Sequence, residues 1–242
     1  MKKTFLMLAV MIAVIFSSCK KEENIIPDES TPIVENPVLN PNAGLGAQQG
    51  YPSGVRFNLP PHIKVIGDIR GGVVAKNPIM DKFKYSGDVS LTSHDRSWTE
   101  YGTGTFVNLY IKLFNNSMFD VIVNIPGGLI FVDSTDVNDS TGTHQKGYIM
   151  QDVNINISAF DTSNICLKAY CLNLHLSPSD YNTIYYFGPV TNNSQLNLIT
   201  NIMAPKQYPF GQEFDIQHII WNVTDDGLAL SQSQISYLNS LP

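Results

Sequence analysis

Charge is scarce in this chain. Lys and Arg together number 15 against 21 Asp and Glu, and charged residues make up 15% of 242 positions. No basic cluster exists beyond a short run near the N-terminus, so a phosphate-reading surface is excluded and nucleic acid is not a partner. Cysteine is equally sparse, at three residues, too few for a disulfide-stapled scaffold. The five histidines, His62, His94, His144, His175 and His218, lack metal-ligand spacing such as HxxxH. Neither a metal nor another cofactor is implied. After the first twenty residues there is no apolar run long enough to span a bilayer.

The N-terminus carries an address. Lys2 and Lys3 precede an apolar run from Phe5 to Phe16, too short for a transmembrane helix. Phe16-Ser17-Ser18-Cys19 resembles the lipobox of bacterial lipoprotein signal peptides. That resemblance implies cleavage of residues 1–18 and lipidation of Cys19, which makes the membrane a partner through lipid. Lys20-Lys21-Glu22-Glu23 resembles the surface-export signal of Bacteroidetes lipoproteins, which implies an outer-membrane or cell-surface location. The alternative is a plain secretory signal followed by a solvated charge cluster. Losing the signal leaves thirteen basic residues and a formal charge of −8.

Residues 19–50 are expected to form a lipidated anchor and tether. Pro27, Pro32, Pro37 and Pro41 keep it extended, and its composition buries too little apolar surface to offset chain entropy. Packing of its end near Tyr51 as an irregular arm is the other option.

The remainder is rich in Ile, Val, Tyr, Thr, Ser and Asn, which favours strands joined by polar turns. Short strands are expected between Phe57 and Trp98, with a bend or bulge at Gly71-Gly72. Val107, Leu109, Ile111 and Leu113 alternate with other residues, as do Phe119, Val121, Val123 and Ile125. The turn residues Asn115-Asn116-Ser117 between them predict a hairpin. Further strands are expected at Leu129–Val132, 153–157 and 165–169. This spacing predicts a mainly β (α+β) domain, an immunoglobulin-like antiparallel β-sandwich over 51–170. A small helical part follows within 171–242. Asn193 or Ser194 caps a first helix that Pro205 ends, a second starts near Asp215, and Ser231 with Gln234 form a capping box for a third.

Cys166 and Cys171 remain after the lipidated cysteine. Their odd separation points them to opposite faces of a strand, and five extended residues cover about 16 Å. A disulfide needs Cα atoms within about 7 Å, so it requires a bulge near Lys168. Two free buried cysteines are the other option.

Ala169-Tyr170-Cys171-Leu172, followed by Ile216-Gln217-His218-Ile219-Ile220-Trp221, resembles the paired motifs of bacterial thioester domains. The resemblance implies that Cys171 and Gln217 join in an internal thioester with loss of ammonia. It further implies that Tyr170, Leu172, Ile220 and Trp221 wall the pocket. Such domains cap surface adhesins and are attacked by amines on host proteins, so the resemblance implies an adhesin or binding module and not a turnover enzyme. The Cys-to-Gln spacing is shorter than in many members, and the same fold without the bond is the bland alternative.

Other readings compete. A non-covalent envelope module would bind glycan or a cell-surface protein, with Tyr185 and Tyr186 as a candidate sugar platform. A hydrolase would pair Cys171 with His175 or His218, although a strand end lacks the helix N-terminus that usually activates such a thiol. Asp133, Asp136 and Asp139 sit three apart in a loop but lack an EF-hand pattern. Asp133-Ser134-Thr135 and Asp139-Ser140-Thr141 resemble O-glycosylation sequences of Bacteroidetes envelope proteins.

Overall fold

The structure is a computed structural model that describes residues 40, 42–72, 98–135, 142–207 and 211–242. The signal segment, Cys19, the charged run after it, most of the tether, His94, Asp136 and Asp139 lie outside the described residues.

Eleven strands and three helices occur among the described residues. The strands are β1 (Gly54–Arg56), β2 (Ile63–Val65), β3 (Ile69–Gly72), β4 (Thr99–Gly102), β5 (Val107–Asn115) and β6 (Val121–Ile125). They continue with β7 (Leu129–Asp133), β8 (Gly147–Tyr148), β9 (Val153–Ile157), β10 (Thr162–Cys171) and β11 (Ile184–Thr191). The helices are α1 (Ser194–Met203), α2 (Glu213–Thr224) and α3 (Gln232–Ser240).

The mainly β class with a C-terminal helical part is as expected, but the strands do not form two facing sheets. β5 pairs with β3, β3 with β11, β11 with β7, β7 with β8, β8 with β10, and β10 returns to β5. Every one of these pairings is antiparallel, so six strands close into a barrel. Closure satisfies the backbone groups that a sandwich leaves at its edges. β1, β2 and β4 extend the barrel strands at its margins. β11 belongs to this ring, so the barrel runs past residue 170, the boundary expected for the sandwich.

The predicted 107–125 hairpin has the right strands and the wrong pairing. β6 pairs with β9 in a separate two-stranded sheet, from Val121 opposite Ile157 to Ile125 opposite Val153. β5 pairs with β10 over eight residues instead. Asn115 explains the break. Its side chain is fully buried, accepts from Ser117, and donates to the carbonyls of Phe119, Ile157 and Ser158. It therefore ties the connection to β9 and not to a tight turn. Gly71 and Gly72 are extended within β3 rather than bent. A Cβ on Gly72 would lie 2.3 Å from the Tyr110 ring.

Strand alternation sorts side chains into two clusters. Val107, Leu109, Ile111, Leu113, Leu129, Phe131, Ile165, Leu167, Ala169 and Cys171 form one core, joined by Val123, Ile125, Ile155 and Ile157 from the second sheet. The alternate residues Ile130, Val132, Tyr148, Tyr170 and Leu172 face the other way, onto Leu196, Ile199, Ile216 and Ile220 of the helices. β7 is consequently buried along its whole length, which is why it reads as a continuous apolar run. The helix caps match the sequence: Asn193 accepts from Gln195 and Leu196, and Ser231 with Gln234 complete a capping box.

Candidate functional site

β10 and α2 deliver the two motif residues to one buried place. Cys171 is the last residue of β10, and its neighbours on that strand pair with β5, β4 and β8. Gln217 lies in the second turn of α2, one helical turn before Trp221, so both project from the same face. Cys171 and Gln217 are each fully buried.

Their contact is reciprocal. The Cys171 backbone N–H donates to Gln217 Oε1 at 2.8 Å, and Gln217 Nε2 donates to the Cys171 carbonyl at 2.6 Å. The carboxamide therefore fills the place of a pairing strand at the end of β10. This fixes the rotation of the amide, with its oxygen against a donor and its nitrogen against an acceptor. The Cys171 sulfur accepts from the Asn173 backbone N–H at 3.4 Å. Trp221 Nε1 is buried beside the same sulfur and favours its thiolate, though it completes no hydrogen bond of ordinary geometry.

Burial pushes the Cys171 thiol up to about 12. The Asn173 N–H, the indole and Lys146 pull the other way, while Asp225 raises it further. Desolvation wins, so at neutral pH the sulfur is a thiol in a dry site. Cys166 is also raised, to about 11, mainly by burial. Both cysteines are free, as the alternation on β10 requires. Cys171 shares its cluster with Ala169 and Leu167, and Cys166 faces the other side.

The four expected wall residues split. Trp221 belongs to the cluster that contains Cys171. Tyr170, Leu172 and Ile220 belong to the opposite cluster; the two that flank Cys171 along the chain must point away from its side chain, and Ile220 joins that cluster from α2. Phe106 replaces them on the sulfur side. It packs edge-on against Trp221 at 5.2 Å between ring centroids and against Phe214 at 6.1 Å. His218 meets Phe214 edge-on at 4.5 Å and Trp221 at 5.4 Å between ring centroids. These rings cover the Trp221 side of the site, with Phe214 and His218 exposed.

Neither His218 nor His175 hydrogen bonds to Cys171. Burial raises the Asp225 carboxyl, which also accepts from the Leu174 N–H at 2.9 Å, and His175 favours its ionised form. A thiolate–imidazole pair is thus absent among the described residues.

Asp133 is a structural carboxylate. It accepts from the N–H groups of Thr135, Thr143 and His144, at 2.5, 3.1 and 2.7 Å, and from both threonine hydroxyls. Burial alone would raise its pKa, but these bonds outweigh burial and lower it. No cluster of three metal-ligating side chains occurs among the described residues. Tyr185 is buried and donates to the Gln145 carbonyl, so only Tyr186 is exposed. The Tyr pair is not a platform.

Asn173 and the Asn42–Gln49 arm carried no chemical signal in the sequence. Asn173 was visible only as the neighbour of Cys171, and the arm was read as tether. No helix of the described residues is long and apolar enough to cross a membrane. Comparison with protein-family models, with curated proteins and with solved structures finds no match.

Proposed function

We propose that the chain is a lipid-anchored surface binding module, an adhesin in the broad sense, whose Cys171 and Gln217 form an internal thioester. The observation that carries this reading is the reciprocal pairing of the Gln217 carboxamide with the Cys171 main chain, both residues being fully buried. The thiol sulfur attacks Gln217 Cδ, an S–C bond forms, and the C–N bond breaks. The thiol proton leaves with the amide nitrogen as ammonia. The Cys171 N–H already donates to the oxygen that takes up negative charge in that step. The Cys171 carbonyl orients the departing nitrogen. A neutral thiol and a neutral amide give a neutral thioester, so burial disfavours the thiolate without opposing the product. The same dryness slows hydrolysis. An amine on a partner protein then attacks Cδ, forms an amide, and releases the Cys171 thiol.

The test is an intact mass under native conditions. The expected mass is one ammonia below the sequence mass, and methylamine converts it to an adduct at Gln217. The full unmodified mass, with Cys171 alkylated under native conditions, overturns the thioester. The anchor is tested separately, by incorporation of a labelled fatty acid that Cys19→Ser abolishes.

A second reading is non-covalent binding of glycan or protein. A cleft of about 610 Å³ beside α1, lined by Thr103, Gln151, Asp152, Asn201 and Lys206, offers polar groups suited to hydroxyls. Under this reading Cys171→Ala leaves ligand capture unchanged, and Asp152→Ala reduces it.

A further inference from the structure

The site has a third component besides the strand and the helix. Residues 42–49 run through the crevice between the end of β10 and the end of α2. Leu45 is buried, in the same cluster as Leu172, Ile216 and Ile220. The Gly46 N–H donates to the Leu172 carbonyl at 3.0 Å. Asn173, itself buried, donates from Nδ2 to the Gly46 carbonyl at 2.7 Å and the Gly44 carbonyl at 3.4 Å. Its Oδ1 accepts from the Lys146 N–H at 3.3 Å. Asn42 Oδ1 accepts from Asn193 at the start of α1.

Gly46 shows how tight this seat is. Its φ is +55°, and a Cβ there would stand 2.0 Å from the Thr224 carbonyl oxygen and 2.6 Å from Asp225 Cα. Thr224 is the last residue of α2. The arm therefore touches both elements at once: the strand end that carries Cys171 and the helix that carries Gln217. It also grips Asn173, whose N–H meets the sulfur.

We propose that the Asn42–Gln49 arm is a removable strap that holds Cys171 and Gln217 in register and closes the site, acting through Asn173 as a positioning residue. This rests on the reading of that pair as the functional site, but not on the thioester having formed. With the strap seated, Asn173 is locked and the end of β10 is pinned to α2. With it displaced, the Leu172 carbonyl and the Asn173 side-chain amide lose their partners on the strap and the buried sulfur becomes reachable. The strap lies at the C-terminal end of the stretch read as tether. Tension from the N-terminal side would therefore act on the strap first.

Gly46→Ala is the test, because it unseats the strap without deleting any of its contacts. Gly67→Ala is the control. Gly67 has a comparable φ of +72° but nothing within 4 Å of its Cβ position. Any thioester is first opened with methylamine in urea and the full chain is refolded, which leaves Cys171 as a thiol whether or not a thioester was present. Iodoacetamide labelling of Cys171 and of Cys166 is then followed by peptide mass. Cys166 sits mid-strand in β10 and reports global opening. The expected result is a rise in Cys171 labelling on the order of tenfold or more with Gly46→Ala and with Asn173→Ala, with Cys166 unchanged. Gly67→Ala leaves both unchanged. Equal acceleration of both cysteines, or no acceleration of Cys171, overturns the strap. A full unmodified mass before methylamine sinks the thioester alone.

Discussion

Replacing Gln217 by glutamate in a Cys171→Ala background isolates the hydrogen-bond geometry from any thioester. The carboxamide in the wild type accepts from the Cys171 N–H and donates to the Cys171 carbonyl, at 2.8 and 2.6 Å, in a fully buried position. A protonated carboxyl can repeat both bonds. A carboxylate cannot donate, so it would face the backbone carbonyl oxygen as a bare negative charge without water. Desolvation and that repulsion both raise the folded-state pKa above its unfolded value of about 4.3. The folded state then holds the proton more tightly. The variant keeps its stability below pH about 4.3 and loses it as pH rises, by about 1.4 kcal/mol per unit until the folded pKa is reached. If that pKa is near 7 or higher, the loss at pH 7 is about 4 kcal/mol relative to the Cys171→Ala parent. Urea unfolding of both proteins at pH 4 and pH 7 measures it. The expected gap is under about 1 kcal/mol at pH 4 and several-fold larger at pH 7. An equal gap at both values would mean the carboxyl is solvated, and the paired geometry would be refuted.

Asn115→Ala removes the buried amide that donates to the carbonyls of Phe119, Ile157 and Ser158 and should cost about 3 kcal/mol in urea unfolding. Tyr148→Phe removes the hydroxyl that bonds the Leu196 carbonyl and Thr200. It should cost about 1 kcal/mol and accelerate hydrogen exchange in α1. The lowered pKa of Asp133 adds stability above pH about 3.9 that is lost as pH falls through its folded value. Asp133→Asn should weaken the hold on Thr135, Thr143 and His144 at pH 7 and flatten the acid limb of the unfolding profile.

Single elements were legible because each carries a local signal. The period-two pattern of 153–157 and the Ser231–Gln234 capping box both report their own backbone conformation. Pairing was not legible. Nothing local in 107–125 states that Asn115 will hold three backbone carbonyls and send β6 to β9. Ring closure was hidden for the same reason, since it rests on β5 meeting β10 more than fifty residues later. At the site, the motif residues were picked out by their resemblance to thioester-domain motifs, and strand parity separated Cys171 from Cys166. The same parity, applied to Tyr170 and Leu172, points them away from the sulfur, yet both were assigned to its wall. The Asn42–Gln49 arm was read first as tether, with packing near Tyr51 as the other option, because proline and glycine dominate the stretch. Leu45 is its one large apolar residue, and a single buried leucine makes no pattern.

Under the proposed thioester, substitutions at Trp221 separate formation of the bond from its survival. It is the large wall residue on the sulfur side, 8% exposed, and it meets Phe106 and His218 edge-on. It has two capacities there, an indole N–H near the sulfur and an area that keeps water out. Trp221→Phe removes the first and keeps most of the second, while Trp221→Ala removes both. Mass distinguishes the outcomes because a thioester that forms and is then hydrolysed leaves glutamic acid at position 217. An amide that never reacted leaves glutamine. Since a dry wall slows water attack, Trp221→Ala should yield the hydrolysed mass, and Trp221→Phe should retain most of the ammonia-depleted mass. Glutamine in both variants would assign the indole to the bond-forming step. An undiminished thioester in Trp221→Ala would show that the Phe106 side alone keeps the site dry, and the shielding argument would fail.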